Sequence, residues 1–215
     1  MSSKNCPVLD LAPQLWFDGT VTISIRRISG PEFSMIAPRL VDIYLSAMGY
    51  SPSVHSQRLH AWRSDTVMPG FTAIVATTQN DVVGLAYGFL GSRDTWWDRQ
   101  LRKGLRGAGH DEDSVRNITG DYFEIAEIHV HPGMQGAGIG RRLLSELLWN
   151  APAGSALLST PEVPGESNNA FGLYRSMGFQ DVLRHCYFDG DNRPFAILGR
   201  TLPLEQPAPP ARSRR

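Results

Sequence analysis

Apolar residues recur along this chain at two periods, and the switches between them divide it into strands and helices. Residues 20–28 (TVTISIRRI) set β-branched residues at every second position, the pattern of a strand with one covered face. Residues 33–48 repeat at helical spacing through Met35, Ile36, Leu40, Ile43, Tyr44 and Ala47, with Pro38 complicating the first turn. Residues 55–64 suggest a second short helix. Runs at 71–78 and 82–90 flank a turn at Asn80 and Asp81 and read as a hairpin. Trp97, Leu101 and Leu105 lie at i, i+4, i+8 and predict a short amphipathic helix; Gly107, Gly109 and the acidic run 111–113 after it read as mobile loop. A strand at 122–130, a helix at 138–150, a strand at 156–160, a helix at 168–177 and strands at 181–188 and 195–202 complete the order. This mixture predicts an α/β (α+β) fold in which helices cover a central sheet.

At 215 residues the chain has room for one domain, expected over 20–205, with an N-terminal arm at 1–19 and a disordered tail at 206–215. The stretch 91–120 is an insertion, long enough to suggest a lid or a binding segment. Twenty-one basic residues balance twenty-one acidic ones, which argues against a phosphate-neutralising nucleic-acid binder. Cys6 and Cys186 are too few for a disulfide framework and lack zinc spacing, so a reduced compartment and no metal are expected. Pro7, Asp10 and Pro13 interrupt any leader-like apolar stretch, and no apolar run is long enough to cross a bilayer. The expected location is cytoplasmic, away from membranes.

Residues 127–148, EIHVHPGMQGAGIGRRLLSELL, carry the chemistry. A strand ends near Val130 and Pro132, glycines follow at 133, 136, 138 and 140, and a helix then sets Ile139, Leu143, Leu144, Leu147 and Leu148 on one face. An open helix N-terminus behind a glycine-rich turn offers unpaired N–H groups and a dipole end that favour an anion. Arg141 and Arg142 oppose that dipole unless a polyanion lies nearby, and a pyrophosphate is the natural candidate. No Gly-Lys-Ser/Thr follows, and the glycine spacing is not GxGxxG, so neither a P-loop nor a dinucleotide fingerprint is present.

The turn resembles the coenzyme A loop of the GNAT superfamily, V-x-P-x-x-[QR]-G-x-G-[IL]-G, through Val130, Pro132, Gln135, Gly136, Gly138, Ile139 and Gly140. Ala170, Leu173, Tyr174, Gly178 and Phe179 resemble the family's A-x-x-[LF]-Y-x-x-x-G-F helix. One departure is Ser167, where the family often carries Asn; Asn168 lies one position later. The resemblance implies a GNAT fold, with a mixed, mostly antiparallel sheet of about seven strands flanked by helices. It implies acetyl-CoA as cosubstrate, with main-chain groups of Ile128, His129 and Val130 along the pantetheine arm and the Val130 N–H polarising the thioester carbonyl. Gln135, Gly136, Ala137, Gly138, Ile139, Gly140 and Arg141 would hold the pyrophosphate, and Asn168 is a further contact. Tyr174 is the expected general acid.

A protonated amine must lose a proton before it attacks, so a carboxylate base is required. Glu127 is the preferred candidate and Glu124 the second, with His129 and Glu162 behind them. Three residues apart, Glu124 and Glu127 point to opposite faces of a regular strand, and a bulge would reverse that. Trp96 and Trp97 are candidates for an acceptor pocket, and Arg99, Arg102, Lys103 and Arg106 for a solvated face. The expected partners are acetyl-CoA and an unidentified amine, favoured as a small molecule, with no nucleic acid or membrane and with a homodimer among the open assemblies. A protein or peptide acceptor, a longer acyl donor and a non-catalytic acyl-CoA sensor stand as alternatives.

Overall fold

The computed structural model describes residues 22–79 and 81–204, so the expected arm, tail and Asn80 lie outside the described residues. Seven strands, β1 (Ser24–Ile28), β2 (Thr72–Thr77), β3 (Val82–Leu90), β4 (Tyr122–Val130), β5 (Ser155–Pro161), β6 (Gln180–Cys186) and β7 (Phe195–Thr201), form one sheet ordered β1-β2-β3-β4-β5-β7-β6. Every neighbouring pair is antiparallel except β4 and β5. Six helices cover it: α1 (Gly30–Met48), α2 (His55–Asp65), α3 (Trp96–Gly107), α4 (Glu112–Thr119), α5 (Ile139–Leu148) and α6 (Asn169–Ser176). None is long and apolar enough to cross a membrane.

α5 and α6 share one face of the sheet, where Leu143, Leu144, Leu147 and Phe171 pack on Ile74, Phe123, Ile125 and Leu198. On the other face α1 and α2 cover β1 to β4 through Phe33, Leu40, Tyr44 and Trp62, against Val75, Leu85 and Tyr87. Beyond them α3 and α4 cover β5, β7 and β6 through Leu101, Leu105 and Val115, against Leu157, Leu183 and Ile197. The second face is thus covered in two blocks, and the end of β4 lies between them.

Two expectations change. α1 begins three residues earlier than its apolar pattern suggests, because Ser29 caps it by accepting the Glu32 N–H at 3.3 Å. Pro38 therefore sits inside the helix, where it leaves the Ser34 carbonyl without its usual donor, and Arg63 Nε fills that place at 3.2 Å. The acidic run at 111–113 is not loop. Asp111 caps α4 by accepting the Ser114 N–H at 2.7 Å, and Glu112 and Asp113 stand in the first turn, where the helix dipole favours negative charge.

Candidate active site

β4 and β5 pair only at Tyr122–Ser155, Phe123–Ala156 and Glu124–Leu157. Beyond Glu124, β4 runs on to Val130 paired with β3 alone, while β5 runs on to Pro161 paired with β7. A wedge opens between the two central strands. The His131 N–H donates to the Val83 carbonyl on the β3 side at 2.9 Å. In a strand the polar groups of successive residues point to opposite edges, so those of Val130 and Ile128 face the wedge, and those of His129 face β3.

The glycine-rich turn stands at the mouth of this wedge. Gly136 and Gly138 hold φ of 80° and 74°, which an L side chain adopts only with strain, and a Cβ built on either meets nothing within 4 Å. The turn's own side chains therefore do not fill it. The first bond closing α5 runs from the Arg142 N–H to the Gly138 carbonyl at 3.2 Å, so the amides of residues 139–141 precede it. Ile139 is buried and pins the turn to the core, whereas Ala137 is exposed. Gln135 ties the turn to β4 and to α6: its Nε2 donates to the Val130 carbonyl at 3.1 Å, and its Oε1 accepts from Asn169 at 3.4 Å. A Cβ on Gly140 would lie 3.2 Å from Leu173, a close approach of α5 to α6.

Three polar side chains near the turn are already engaged. Asn168 caps α6, its Oδ1 accepting the Phe171 N–H at 2.9 Å. Arg141 reaches across to Ser176 Oγ at 2.6 Å, and Arg142 turns away to the Ile23 carbonyl at 3.3 Å. Of the two arginines read as facing an anion, Arg142 points elsewhere.

Tyr174 projects from the inner side of α6 and packs with Phe171, Met177 and Phe179. Burial holds its phenol well above the usual range, and the Glu127 carboxylate adds to the shift. Glu127 belongs to the opposite face of the sheet, so the two groups sense each other across the parted strands. Its position there comes from a bulge. Tyr87 pairs with Glu127 while Gly88 pairs with Ile125, so Ala126 is the extra residue and Glu124 and Glu127 fall on one face. The regular-strand parity is reversed.

Glu127 is held by two donors: Trp62 Nε1 reaches Oε1 at 3.3 Å and His129 Nε2 lies 2.6 Å from Oε2. Glu124 is 6% exposed, and its Oε2 is without a partner among the described residues. Burial first, then the nearby Asp65, Asp98 and Glu127, push its carboxyl up to about 8. Asp65, also raised by burial, accepts the Tyr87 hydroxyl at 2.9 Å. Asp98 accepts the Tyr122 hydroxyl at 2.9 Å and the Arg102 Nε at 2.6 Å. Glu162 is tied down elsewhere by Arg184 Nε at 2.8 Å and the His185 N–H at 2.9 Å.

Around these carboxylates residues 91–120 behave differently from expectation. Arg102 is part of a nearly buried ion pair rather than a solvated face. Trp97 donates to Ser159 Oγ at 3.2 Å, while the half-exposed Trp96 packs on Phe188. Cys186 is buried in β6. Sequence reasoning did not find Trp62, Asp65 or Asp98 as neighbours of β4. Trp62 is the one buried residue of a largely polar helix, and that contrast was the available signal. Asp98 gave none.

Residues 69–181 match the acetyltransferase (GNAT) domain family. A GCN5-like protein acetyltransferase of Mycobacterium tuberculosis is 35% identical over 186 residues, 76% of this chain and 90% of the relative. The N-alpha-acetyltransferase RimI of the same organism is 49% identical over 67 residues, 31% of this chain and 40% of the relative. In fold, the chain is similar to a Salmonella typhimurium protein whose structure holds its cofactor acetyl-CoA (TM-score 0.53, 20% identity, 88% of this chain and 99% of that one). With a family match across more than half its length, a relative along most of it and the parted β4–β5 sheet, this chain belongs to the GNAT family of acetyltransferases.

Proposed function

We propose that the protein moves an acetyl group from acetyl-CoA to a primary amine by direct attack, with Glu127 as base and Tyr174 as acid. The observation that carries this reading is the parting of β4 from β5 beyond Glu124, with Glu127 on the Trp62 face of the sheet and Tyr174, on α6, on the other. It sets an acceptor and a donor of protons on opposite sides of a gap where a thioester arm can lie. The residues present fit the coenzyme: an unfilled turn at residues 136–138, amides ahead of the first bond of α5, and a strand edge offering the polar groups of Ile128 and the Val130 N–H. Bound there, acetyl-CoA supplies the activated acyl group.

An alkyl ammonium holds its proton at neutral pH. Glu127, oriented by Trp62 and His129, takes that proton, and the neutral nitrogen attacks the thioester carbon. The Val130 N–H donates to the carbonyl oxygen as negative charge builds there. The C–N bond forms and the C–S bond breaks. Tyr174, a phenol kept protonated by its surroundings, gives its proton to the departing sulfur, and the proton that nitrogen sheds on becoming an amide replaces it.

A small-molecule acceptor is favoured by two features of the second face. The insertion folds as α3 and α4 against the sheet, and Arg193 Nη1 donates to the Tyr50 hydroxyl at 2.8 Å, linking the segment after α1 to the segment before β7. A protein amine is the second reading, favoured by the printed function of the relative that matches most of the chain.

The test is thiol release with free amines and peptides, beside calorimetry with acetyl-CoA. Glu127→Gln and Tyr174→Phe are each expected to lower kcat by about a hundredfold or more while acetyl-CoA affinity stays within about twofold. Tight acetyl-CoA binding by the wild type with no turnover on any amine would replace this reading with a coenzyme sensor.

A further inference from the structure

We infer that the acceptor is an amine that also carries an anionic group, a carboxylate first of all, and that Arg58 receives that group. The inference rests on Glu127 as the base that meets the acceptor's amine. A line of contacts runs outward from it. His129 Nε2 lies 2.6 Å from Glu127, the His129 ring meets the Tyr44 ring edge-on at 5.0 Å, and the Arg58 guanidinium covers the Tyr44 ring at 5.3 Å. Tyr44 is the junction: burial chiefly pushes its hydroxyl up to about 12, and the charges of Arg58, Glu127 and Arg193 all reach it.

The two ends of this line differ in charge. At the inner end Glu127, Glu124 and Asp65 have no Lys or Arg partner among the described residues, and His129 is the one basic group on them. Glu124 is more than nine-tenths buried with an oxygen unmatched. At the outer end Arg58 is exposed on α2 and has no acidic partner among the described residues. Arg193, by contrast, is already matched by both oxygens of Asp191. Negative charge at the inner end and positive charge at the outer end draw an ammonium inward and hold an anion outside. The guanidinium carbon lies over the Tyr44 ring, and no acidic residue among the described ones takes its N–H fork, a group that can hold two carboxylate oxygens at once. A plain alkylamine leaves Arg58 unmatched, and a diamine meets repulsion there.

The shared chemistry is an amine and a carboxylate on one molecule, available from a free aminocarboxylate or from a peptide amine beside an acidic residue. The experiment uses the full chain loaded with CoA and titrates ε-aminocaproate, its amide and hexylamine, which keep one amine while the carboxylate is neutralised and then removed. Thiol release from acetyl-CoA is measured with the same three. ε-Aminocaproate is expected to bind about five- to tenfold more tightly than its amide. Arg58→Gln should abolish that preference without changing CoA affinity, and Arg58→Lys should keep part of it. Peptides with a lysine flanked by glutamates or by glutamines separate the sources. A preference confined to the peptides assigns the anion to a polypeptide, and one present in the free amines assigns it to a small molecule. Equal binding of acid and amide in both sets, a preference that survives Arg58→Gln, or CoA-loaded protein that takes none of the probes would overturn the assignment and leave the coenzyme reading intact. Failure to bind CoA at all would remove both.

Discussion

A carboxylate buried as deeply as Glu124, with one oxygen unmatched, is destabilised in its charged form by desolvation and by Asp65, Asp98 and Glu127. Its carboxyl moves from an ordinary 4.5 to about 8. Between those values the folded chain keeps a proton that the unfolded chain has lost, so this contribution to stability is whole below about 4.5, falls as pH rises, and is gone above about 8. Glu124→Gln removes the titration while keeping the shape. The variant is expected to gain on the wild type between about pH 5 and about pH 9, by an amount on the order of a few kcal/mol. Urea midpoints of both proteins across that range measure it; parallel profiles would mean that Glu124 is matched in solution by something other than its own proton.

Among the elements, the α5 N-terminus was the most legible in sequence and the bulge in β4 the least. The turn from Gln135 to Arg141 is legible because glycine at 136 and 138 is the visible trace of positive φ. Strands were legible from period-two alternation, and β4 was read to the residue. The acidic run before α4 was misread because a capping Asp and a first-turn Glu look like loop composition until the cap is seen. The bulge at Ala126 leaves no mark, since an extra residue in one strand is fixed by its partner, and with it went the knowledge that Glu124 and Glu127 share a face. Gly138→Asp tests the legible part: it forces a side chain into a left-handed conformation and adds negative charge where phosphates are expected. Acetyl-CoA affinity should fall at least about a hundredfold, with Gly138→Ala, which brings strain without charge, intermediate. Unchanged affinity in a folded Gly138→Asp protein, read by calorimetry, would place the phosphates elsewhere.

Across the whole molecule, one face of the sheet is closed by α5 and α6 while the other is split between two helical blocks, and the parted strands put Glu127 in the split. What spans that split is local and polar. Arg193, held by Asp191, donates to the Tyr50 hydroxyl and lies over the Tyr50 and Phe195 rings at 5.7 and 5.4 Å, joining residues 143 apart in sequence. An exposed contact of this kind contributes under about 1 kcal/mol, so it is easily opened without loss of the fold. If it limits how much of an acceptor the groove admits, Arg193→Ala should raise kcat/KM for peptide amines several-fold relative to free amines, with Tm nearly unchanged. Tyr50→Phe, which keeps the ring stack and loses the acceptor oxygen, should give a smaller change in the same direction. The ratio of the two substrate classes is the quantity to follow, because a general loss of activity moves both alike; a ratio unmoved in both variants would mean that the bridge braces the two segments and has no part in acceptor selection.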